Sequence, residues 1–364
     1  MAKTIDGLDG VVVAETELSD VDGERGELIV RGHRIESLVG RVTFEQVVAL
    51  LWTGILPDTH TTHIWQQRLG AARARAFTLI PTTGNATQMA DGMDALRATL
   101  AHLTASGDFE EDALVATGAA AVFAGAWARR RTGATPVEPD PSLPHAADYL
   151  RMMTGSEPAA ASAAAVDAYL CCVVDHGLNA STLAARVVAS TGSDLISAAV
   201  AGVGALKGPL HGGAPGPVLD MLDAIASPER ARPWLLARMA AGERIMGMGH
   251  RIYRVRDPRA AALEQAAVRF ERTGRFSARL ALARAVEREA EALLAERYPG
   301  RSLRANVEFY TAVLLEAAGI PRDAFSPTFA VSRIAGWCAH VDEQRRRGRL
   351  MRPLSKYVGP HVAA

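Results

Sequence analysis

The feature that most narrowly constrains the fold is a run of sixteen uncharged residues, Ala113 to Ala128. The run is mostly alanine and glycine, and it lies between the acidic Glu110–Asp112 and the basic Arg129–Arg131. Acidic residues at the start and basic residues at the end complement a helix dipole. Because a membrane span needs about 20 apolar residues, we predict a buried helix over residues 112–131. We expect its small residues to allow close packing, also between subunits.

Helical patterns continue through most of the remaining chain. Thr43 and Gln46 form a capping box at the start of a helix that Gly54 ends. Pro327 after the N-cap Ser326 predicts a long final helix over residues 327–347. Further helices are predicted at about 87–106, 161–175, 178–190, 194–206, 218–222, 277–297 and 303–318.

Only the N-terminal region has the pattern of a β structure. Val11–Val13 and Leu28–Val30 flank the turn signal Asp22-Gly23, so residues 10–31 are predicted to form a hairpin. A Pro-rich surface loop is predicted over residues 132–146. The fold class is therefore all-α with a small N-terminal β-hairpin. The 364 residues are enough for a large helical domain that carries a smaller one.

Charge and cysteine content argue against several functional classes. Forty Lys and Arg balance forty Asp and Glu, which gives no electrostatic case for a nucleic acid or a membrane as partner. The basic run at 345–349 is interpreted as the solvated end of the last helix. Cys171, Cys172 and Cys338 have neither disulfide nor metal-site spacing. Together with an N-terminus that shows no signal peptide, they favour a cytoplasmic location.

A histidine among glycine and proline residues, His211 in the segment 207–215, is the first candidate for chemistry. Glycine lets the backbone approach a ligand closely, and the N-terminus of the helix that follows disfavours an imidazolium. A neutral His211 could donate a hydrogen bond to a carbonyl. For this segment taken alone, a histidine in an ordinary surface loop is the alternative.

Two further segments carry candidate groups. Met246–Gly249 precede His250 and four arginines within residues 251–259, a pattern that suggests anion recognition. A solvated basic loop is the alternative there. Glu308 lies between apolar and aromatic residues, and burial raises a carboxyl pKa and suits a general base. An acid that pairs with an arginine for structure is the alternative at this position.

The three segments together indicate a reaction class. Two histidines can polarise two carbonyls, one carboxylate can remove a proton, and several arginines can bind a small dicarboxylate. This set fits carbon–carbon bond formation through an enol, without a metal or redox cofactor. A zinc site is not expected, because His211 and His250 are far apart and no cysteine accompanies them.

The chain resembles the citrate synthase family nearly from end to end, and its compact length resembles the short prokaryotic dimeric type. Several motifs occur in the family's order, which makes the resemblance specific. They are Gly7–Val12, Gly26–Gly32, Leu50–Gly54, Asp175–Thr182, Gly208–Gly213, Gly249–Arg251, Asp257–Arg259, Asn306–Tyr310, Ser332–Trp337 and Arg352-Pro353.

The resemblance implies a domain organisation and catalytic roles. The large domain would comprise residues 1–212 and 320–364, and the small domain, residues 213–319, would close over the site. His211 would stabilise the enol of an acyl thioester. His250 would polarise the ketone of oxaloacetate, and the acid at position 308 would remove the α-proton.

The resemblance also implies substrate contacts in a homodimer. Oxaloacetate would be bound by His176, Arg259, Arg333 and, from the partner subunit, Arg352. CoA would be contacted by Arg254, Met246, Gly247, Met248 and Gly249. The CoA thioester is a substrate here, and no cofactor is implied.

One residue departs from the family's pattern, because Glu308 stands where the family usually has Asp. Three functions stay open. The leading one is a citrate synthase that uses acetyl-CoA, and the second is a 2-methylcitrate synthase that uses propionyl-CoA. The third is a non-catalytic paralogue that binds CoA or oxaloacetate as a sensor.

Overall fold

Helices provide almost all regular structure in the computed structural model, which describes residues 6–8, 10–211, 215–274 and 277–360. The α-helices are α1 (Ile35–Leu38), α2 (Phe44–Thr53), α3 (Thr59–Thr78), α4 (Gly92–Leu100), α5 (Phe109–Arg131), α6 (His145–Thr154), α7 (Ala160–Val173), α8 (Ala180–Ser190), α9 (Leu195–Leu206), α10 (Pro215–Ile225), α11 (Pro228–Ala240), α12 (Pro258–Glu271), α13 (Ser277–Arg297), α14 (Val307–Ala318) and α15 (Phe325–Arg347). The strands are β1 (Ser19–Asp22), β2 (Glu27–Val30) and β3 (His33–Arg34). The all-α fold class is confirmed.

The N-terminal β structure is a three-stranded antiparallel sheet in the order β1-β2-β3 rather than the predicted hairpin of residues 10–31. Asp22 accepts hydrogen bonds from the amides of Glu24 and Arg25, which shapes the turn between β1 and β2. This turn sets the register of the hairpin, so β2 pairs with residues 19–22. The Val11–Val13 run therefore lies outside the sheet.

Helix α5 is buried inside the chain, as its alanine and glycine content predicts. Residues 112–128 are buried with the exception of Val115, which is half-buried. A Cβ atom at Gly118 would lie 2.8 Å from the backbone nitrogen of Arg73 in α3. The small residues thus allow neighbouring helices of the same subunit to approach closely. The expectation that they also pack between subunits is wrong, because other parts of this chain already cover them.

Helix α15 begins two residues before the predicted start at Pro327. A 3-10 turn, Arg322–Ala324, leads directly into it, so Ser326 lies in the first turn and is not the N-cap. Proline is tolerated at position 327 because the first amides of a helix have no intrahelical acceptor.

Other helix boundaries differ from the predicted ones where a capping residue or a backbone pairing determines the start of the helix. The capping box of α2 and the left-handed Gly54 are as predicted. Helix α4 begins only after Asp91, whose carboxylate accepts from the amide of Asp94. Helix α14 begins at Val307 because the preceding residues pair with another segment. Helices α1, α3, α6, α11 and α12 were not predicted, and α6 shortens the predicted loop of residues 132–146.

The surroundings of cysteines and basic residues agree with the sequence analysis. Cys171, Cys172 and Cys338 are buried and free. The basic run at the end of α15 is exposed. Among the described residues, no helix is both long enough and apolar enough to span a membrane.

Helices α10 to α14 pack largely on one another, and α12 and α14 also contact α7. This grouping lies within the predicted small domain of residues 213–319. The division from residues 1–212 and 320–364 stays a prediction, and the boundary residue 213 lies outside the described residues.

Two glycine substitutions test the packing of α15. A Cβ atom at Gly336 would lie 2.2 Å from the carbonyl oxygen of Val174, which adjoins the end of α7, so we expect Gly336→Ala to destabilise the fold by about 1–3 kcal/mol. Gly204 in α9 has no atom within 4 Å of a Cβ position, so Gly204→Ala should stabilise by about 1 kcal/mol. Urea unfolding measures both changes. If both substitutions changed the free energy of unfolding in the same direction, this account of Gly336 would be contradicted.

Candidate active site

Six predicted site residues come together where α7, α12, α14 and α15 meet. The rings of His211 and His250 and the charges of Arg259 and Arg333 all act on the pKa of His176. The six are His176 after α7, His211 after α9, His250 before α12, Arg259 in the first turn of α12, Glu308 in the first turn of α14 and Arg333 in the middle of α15.

A short antiparallel contact joins the second and third sequence motifs. Residues 247–249 pair with residues 304–306 through backbone hydrogen bonds of 2.7 and 2.9 Å. The side-chain amide of Asn306 adds a third bond of 2.9 Å to the carbonyl of Gly249. His250 follows one paired segment directly, and Glu308 follows the other after one residue. The contact therefore carries the imidazole and the carboxyl group into the same region.

This contact also explains two glycines that the sequence analysis assigned to CoA. Gly247 and Gly249 have φ values of 73° and 84°, in the left-handed region that favours glycine. A Cβ atom at Gly247 would lie 2.9 Å from the Phe309 side chain. Met248 is buried in the core and Met246 packs against it. Local packing thus accounts for these residues, and their role toward CoA stays a prediction.

The environment of His250 determines which ring nitrogen carries hydrogen. Its Nδ1 atom accepts hydrogen bonds from the amides of Ile252 (3.0 Å) and Tyr253 (3.1 Å). Burial, together with the charge of Arg259, lowers the pKa of His250 to about 4. The neutral ring therefore carries its hydrogen on Nε2. Arg259 Nη2 is an obligate donor and lies 3.3 Å from that nitrogen. The two amides at Nδ1 outweigh this single longer contact, and one acceptor atom between Nε2 and Nη2 would satisfy both donors.

His211 has the opposite tautomer. Its Nε2 atom accepts from the amide of Ser181 at 3.3 Å and lies 2.8 Å from the Ser181 hydroxyl. The hydrogen of the neutral ring is therefore on Nδ1. Burial and then the charge of Arg333 lower its pKa to about 4. Trp337 donates to the same hydroxyl at 3.2 Å and holds it in place.

Glu308 presents an unsatisfied acceptor to the site. Its Oε2 atom is buried without a hydrogen-bond partner among the described residues. Burial raises its pKa, although the charge of Arg259 acts in the opposite direction. Glu308 and His211 line one small cavity. A carboxyl group in this position is a stronger base than an exposed one.

Asp257 connects Arg259 to α14. Its carboxylate forms a buried salt bridge of 2.8 Å with Arg259 and caps α12 through the Arg259 amide. It also accepts from the amide of Val307 at 3.2 Å. Asp257 therefore orients the guanidinium group and anchors the start of the helix that carries Glu308.

Arg333 presents an unsatisfied donor. Its Nε atom donates to the carbonyl of Val173 at 2.6 Å, and its guanidinium carbon lies 4.7 Å from the ring centroid of Phe329. Its Nη2 atom is buried with no hydrogen-bond partner in the described ranges. Burial lowers its pKa to about 10, so the group is still charged at neutral pH. A buried, charged and unpaired donor is suited to an anionic ligand.

His176 is held by a buried polar network. Its Nε2 atom lies 3.0 Å from the Tyr253 hydroxyl, and burial, followed by the charges of nearby arginines, lowers its pKa well below 6.5. The neighbouring Asp175 accepts from His340 Nε2 at 3.1 Å. That nitrogen carries the hydrogen because His340 Nδ1 accepts from Arg186, an obligate donor, at 3.0 Å.

Two predicted residues lie away from this cluster. The side chain of Arg352 is exposed in the C-terminal segment that follows α15. The Arg254 side chain is 63% exposed and lies 4.0 Å from Glu24. The residues that the sequence analysis missed are Asp175, Ser181, Tyr253, Asp257, Trp337 and His340. All but His340 lie within the motifs or segments already identified, but spacing alone did not reveal their roles.

The arrangement combines three uncharged imidazoles, two buried guanidinium groups and one half-buried glutamate whose Oε2 atom is buried. Nε2 of His250 and Nδ1 of His211 can each donate a hydrogen bond to a carbonyl oxygen. Arg259 and Arg333 can bind carboxylates. Glu308 can accept a proton from a carbon acid held beside His211.

Comparisons with known proteins show which proteins the chain is similar to. A family model described as citrate synthase, C-terminal domain, matches residues 7–354. The citrate synthase of Haloferax volcanii is 40% identical over 97% of this chain and 95% of the relative. The 2-methylcitrate synthase of Mycobacterium tuberculosis is 37% identical over 97% of this chain and 90% of the relative.

Solved structures show the same similarity. Citrate synthase from Pyrobaculum aerophilum has a TM-score of 0.88 and 33% identity, covering 99% of this chain and 94% of that one. The ternary complex of carboxymethyl coenzyme A and oxaloacetate with citrate synthase from Thermoplasma acidophilum has a TM-score of 0.88 and 26% identity. It covers 100% of this chain and 98% of that one.

The lowered histidine pKa values predict acid sensitivity of the fold. Histidines of the unfolded chain bind protons near pH 6.5, whereas folded His211 and His250 bind them only near pH 4, and folded His176 binds one only well below pH 6.5. Their contribution to stability is therefore complete above pH 6.5 and decreases as the pH falls toward 4. We expect the urea midpoint to decrease across this window, and to do so less steeply in His176→Gln. His60 is exposed, and His60→Gln is therefore the control. If the urea midpoint falls with pH at the same rate in the parent and both variants, buried His176 does not contribute to the acid sensitivity.

Proposed function

The chain belongs to the citrate synthase family, and from this premise we propose that it condenses acetyl-CoA with oxaloacetate and water to give citrate and CoA. The observation that carries the proposal is the shared cavity of His211 and Glu308, beside the paired donors of His250 and Arg259. An acyl thioester in this cavity has its carbonyl oxygen beside the Nδ1–H donor of His211 and its α-carbon beside the carboxylate of Glu308.

The reaction begins with removal of the α-proton. Glu308 accepts this proton while Nδ1–H of His211 stabilises the developing enol oxygen. His250 donates from Nε2 to the ketone oxygen of oxaloacetate, which makes the ketone carbon electrophilic. The enol carbon attacks that carbon, and the new alkoxide takes the Nε2 proton of His250, which regains a proton when Glu308 releases the α-proton. Water then hydrolyses the thioester of citryl-CoA and releases citrate and CoA.

Oxaloacetate binding is assigned to His176, Arg259 and Arg333. The unpartnered Nη2 of Arg333 supports this assignment, because a carboxylate would complete its hydrogen bonding. The proposal includes Arg352 of the partner subunit in a homodimer. The segment after α15 supports it by exposing several apolar side chains that a second copy could cover, namely Leu350, Leu354, Tyr357 and Val358.

CoA contacts are assigned to Arg254 and to residues 246–249, which adjoin His250. The solved Thermoplasma acidophilum relative, which holds carboxymethyl coenzyme A and oxaloacetate together, supports the use of both substrates. The proposal includes closure of the domain formed by residues 213–319, no metal or cofactor, and a cytoplasmic location.

A second candidate is 2-methylcitrate synthesis from propionyl-CoA, favoured by the 37% identical relative of that name. The two acyl groups differ by one methylene, which a binding pocket discriminates by about 1–3 kcal/mol.

Release of free thiol from acetyl-CoA tests the proposed function. We expect release that depends on oxaloacetate and persists with a chelator present, because the proposed steps use only side chains of this chain. Glu308→Gln should abolish release, since it removes the base at nearly constant shape. Loss of activity on chelation that zinc or magnesium restores would refute the metal-free mechanism. No turnover with acetyl-CoA or propionyl-CoA would favour a sensor.

Subunit mixing tests the proposed role of Arg352. In a heterodimer of Arg352→Ala and His211→Ala subunits, one of the two sites keeps both residues, so partial activity should return. The two mutant homodimers, in which no site keeps both residues, are the controls for the heterodimer. Verified heterodimers without activity, or a monomer at working concentration, would contradict the shared site.

A further inference from the structure

The cavity beside Glu308 is small, and most of the side chains that line it are buried. The volume open to the centre of a water-sized sphere is about 10 Å³, near the lower limit for one water molecule. It is therefore large enough for one small group. Among the described residues, its lining consists of Tyr169, Val173, His211, Pro215, Val307, Glu308, Thr311 and Phe329.

The proposed function determines which part of the substrate enters this cavity, and the present inference rests on it. The thioester carbonyl lies at His211 and the α-carbon lies at Glu308. Any further substituent on the α-carbon must then contact the remaining walls. Three of these, Tyr169, Val173 and Thr311, are at most 2% exposed. Such walls cannot move aside into solvent to admit a larger group.

Glu308 itself reduces the space. Its side chain has one methylene more than the Asp usual in the family, and its Oε2 atom is buried on the cavity side of α14. Thr311 lies one helical turn later and contributes a second wall on the same face. The added methylene of Glu308 and the methyl of Thr311 thus limit the volume available to the acyl chain.

We propose that Glu308, Val173 and Thr311 determine acyl-chain length, so that the cavity admits the methyl carbon of an acetyl group and rejects the additional carbon of a propionyl group. The longer base is then a specificity determinant as well as the proton acceptor. We expect kcat/KM for acetyl-CoA to exceed that for propionyl-CoA by about 10–200-fold, the range that one methylene gives in an apolar pocket.

Competition between the two thioesters at saturating oxaloacetate tests the proposal. Val173→Ala removes two methyl groups from the wall, and the acetyl/propionyl ratio of kcat/KM should fall by about 10-fold or more. Val166→Ala is the matched control, because Val166 lies in the same helix, is equally buried and does not line the cavity. Its ratio should equal that of the parent.

Thr311→Ser is an independent probe of another wall, and it decides the matter if Val173→Ala does not fold. It should lower the ratio in the same direction. Glu308→Asp should also lower the ratio, whatever its absolute rate, because it removes the added methylene.

The outcomes separate this inference from the proposed function. A parent enzyme that uses propionyl-CoA as well as acetyl-CoA would overturn the inference and leave the condensation reaction intact. An unchanged ratio in both Val173→Ala and Thr311→Ser would also overturn it. Absence of turnover with either thioester would overturn the proposed function together with the inference.

Discussion

The site depends on the pairing of residues 247–249 with residues 304–306. Its hydrogen bonds join a loop after α11 to the chain just before α14. Without these bonds, His250 and Glu308, which are far apart in the sequence, would not be held next to each other. Two glycines in the left-handed region make the pairing possible, because side chains there would collide with Phe309 and Leu303. Asp257 reinforces the pairing by binding both Arg259 and the first turn of α14.

The electrostatics of the site follow from its burial. Three histidines lie among buried arginines, and burial together with these charges keeps the imidazoles neutral. Backbone amide donors give His211 and His250 each a defined tautomer, so that one nitrogen of each ring can donate. Arg333 Nη2 and Glu308 Oε2 have no partners in the described part of the chain. The first suits an anionic ligand and the second suits a carbon acid, so the site is arranged to be completed by substrates.

Helix α15 supports this arrangement from the other side. Arg333, Gly336, Trp337 and His340 recur at intervals of three and four residues and therefore share one face. That face contacts the end of α7 and the Asp175–Ser181 segment. The absence of a side chain at Gly336 allows the approach. One helix thus positions a buried arginine with an unsatisfied donor, the hydroxyl that holds His211 and the network behind His176.

The sequence by itself determined the helical class, the burial of α5, most helix positions and the three segments that carry chemistry. Periodicity, capping residues and composition act locally, and so they can be interpreted along the chain. It did not determine the sheet register, the start of α15, the pairing of residues 247–249 with 304–306, or the tautomers. These depend on contacts between residues far apart in the chain. Only the tertiary structure decided that Gly247 and Gly249 serve packing, and that Glu308 shares a small cavity with His211, because distances between separate helices are not encoded in local pattern.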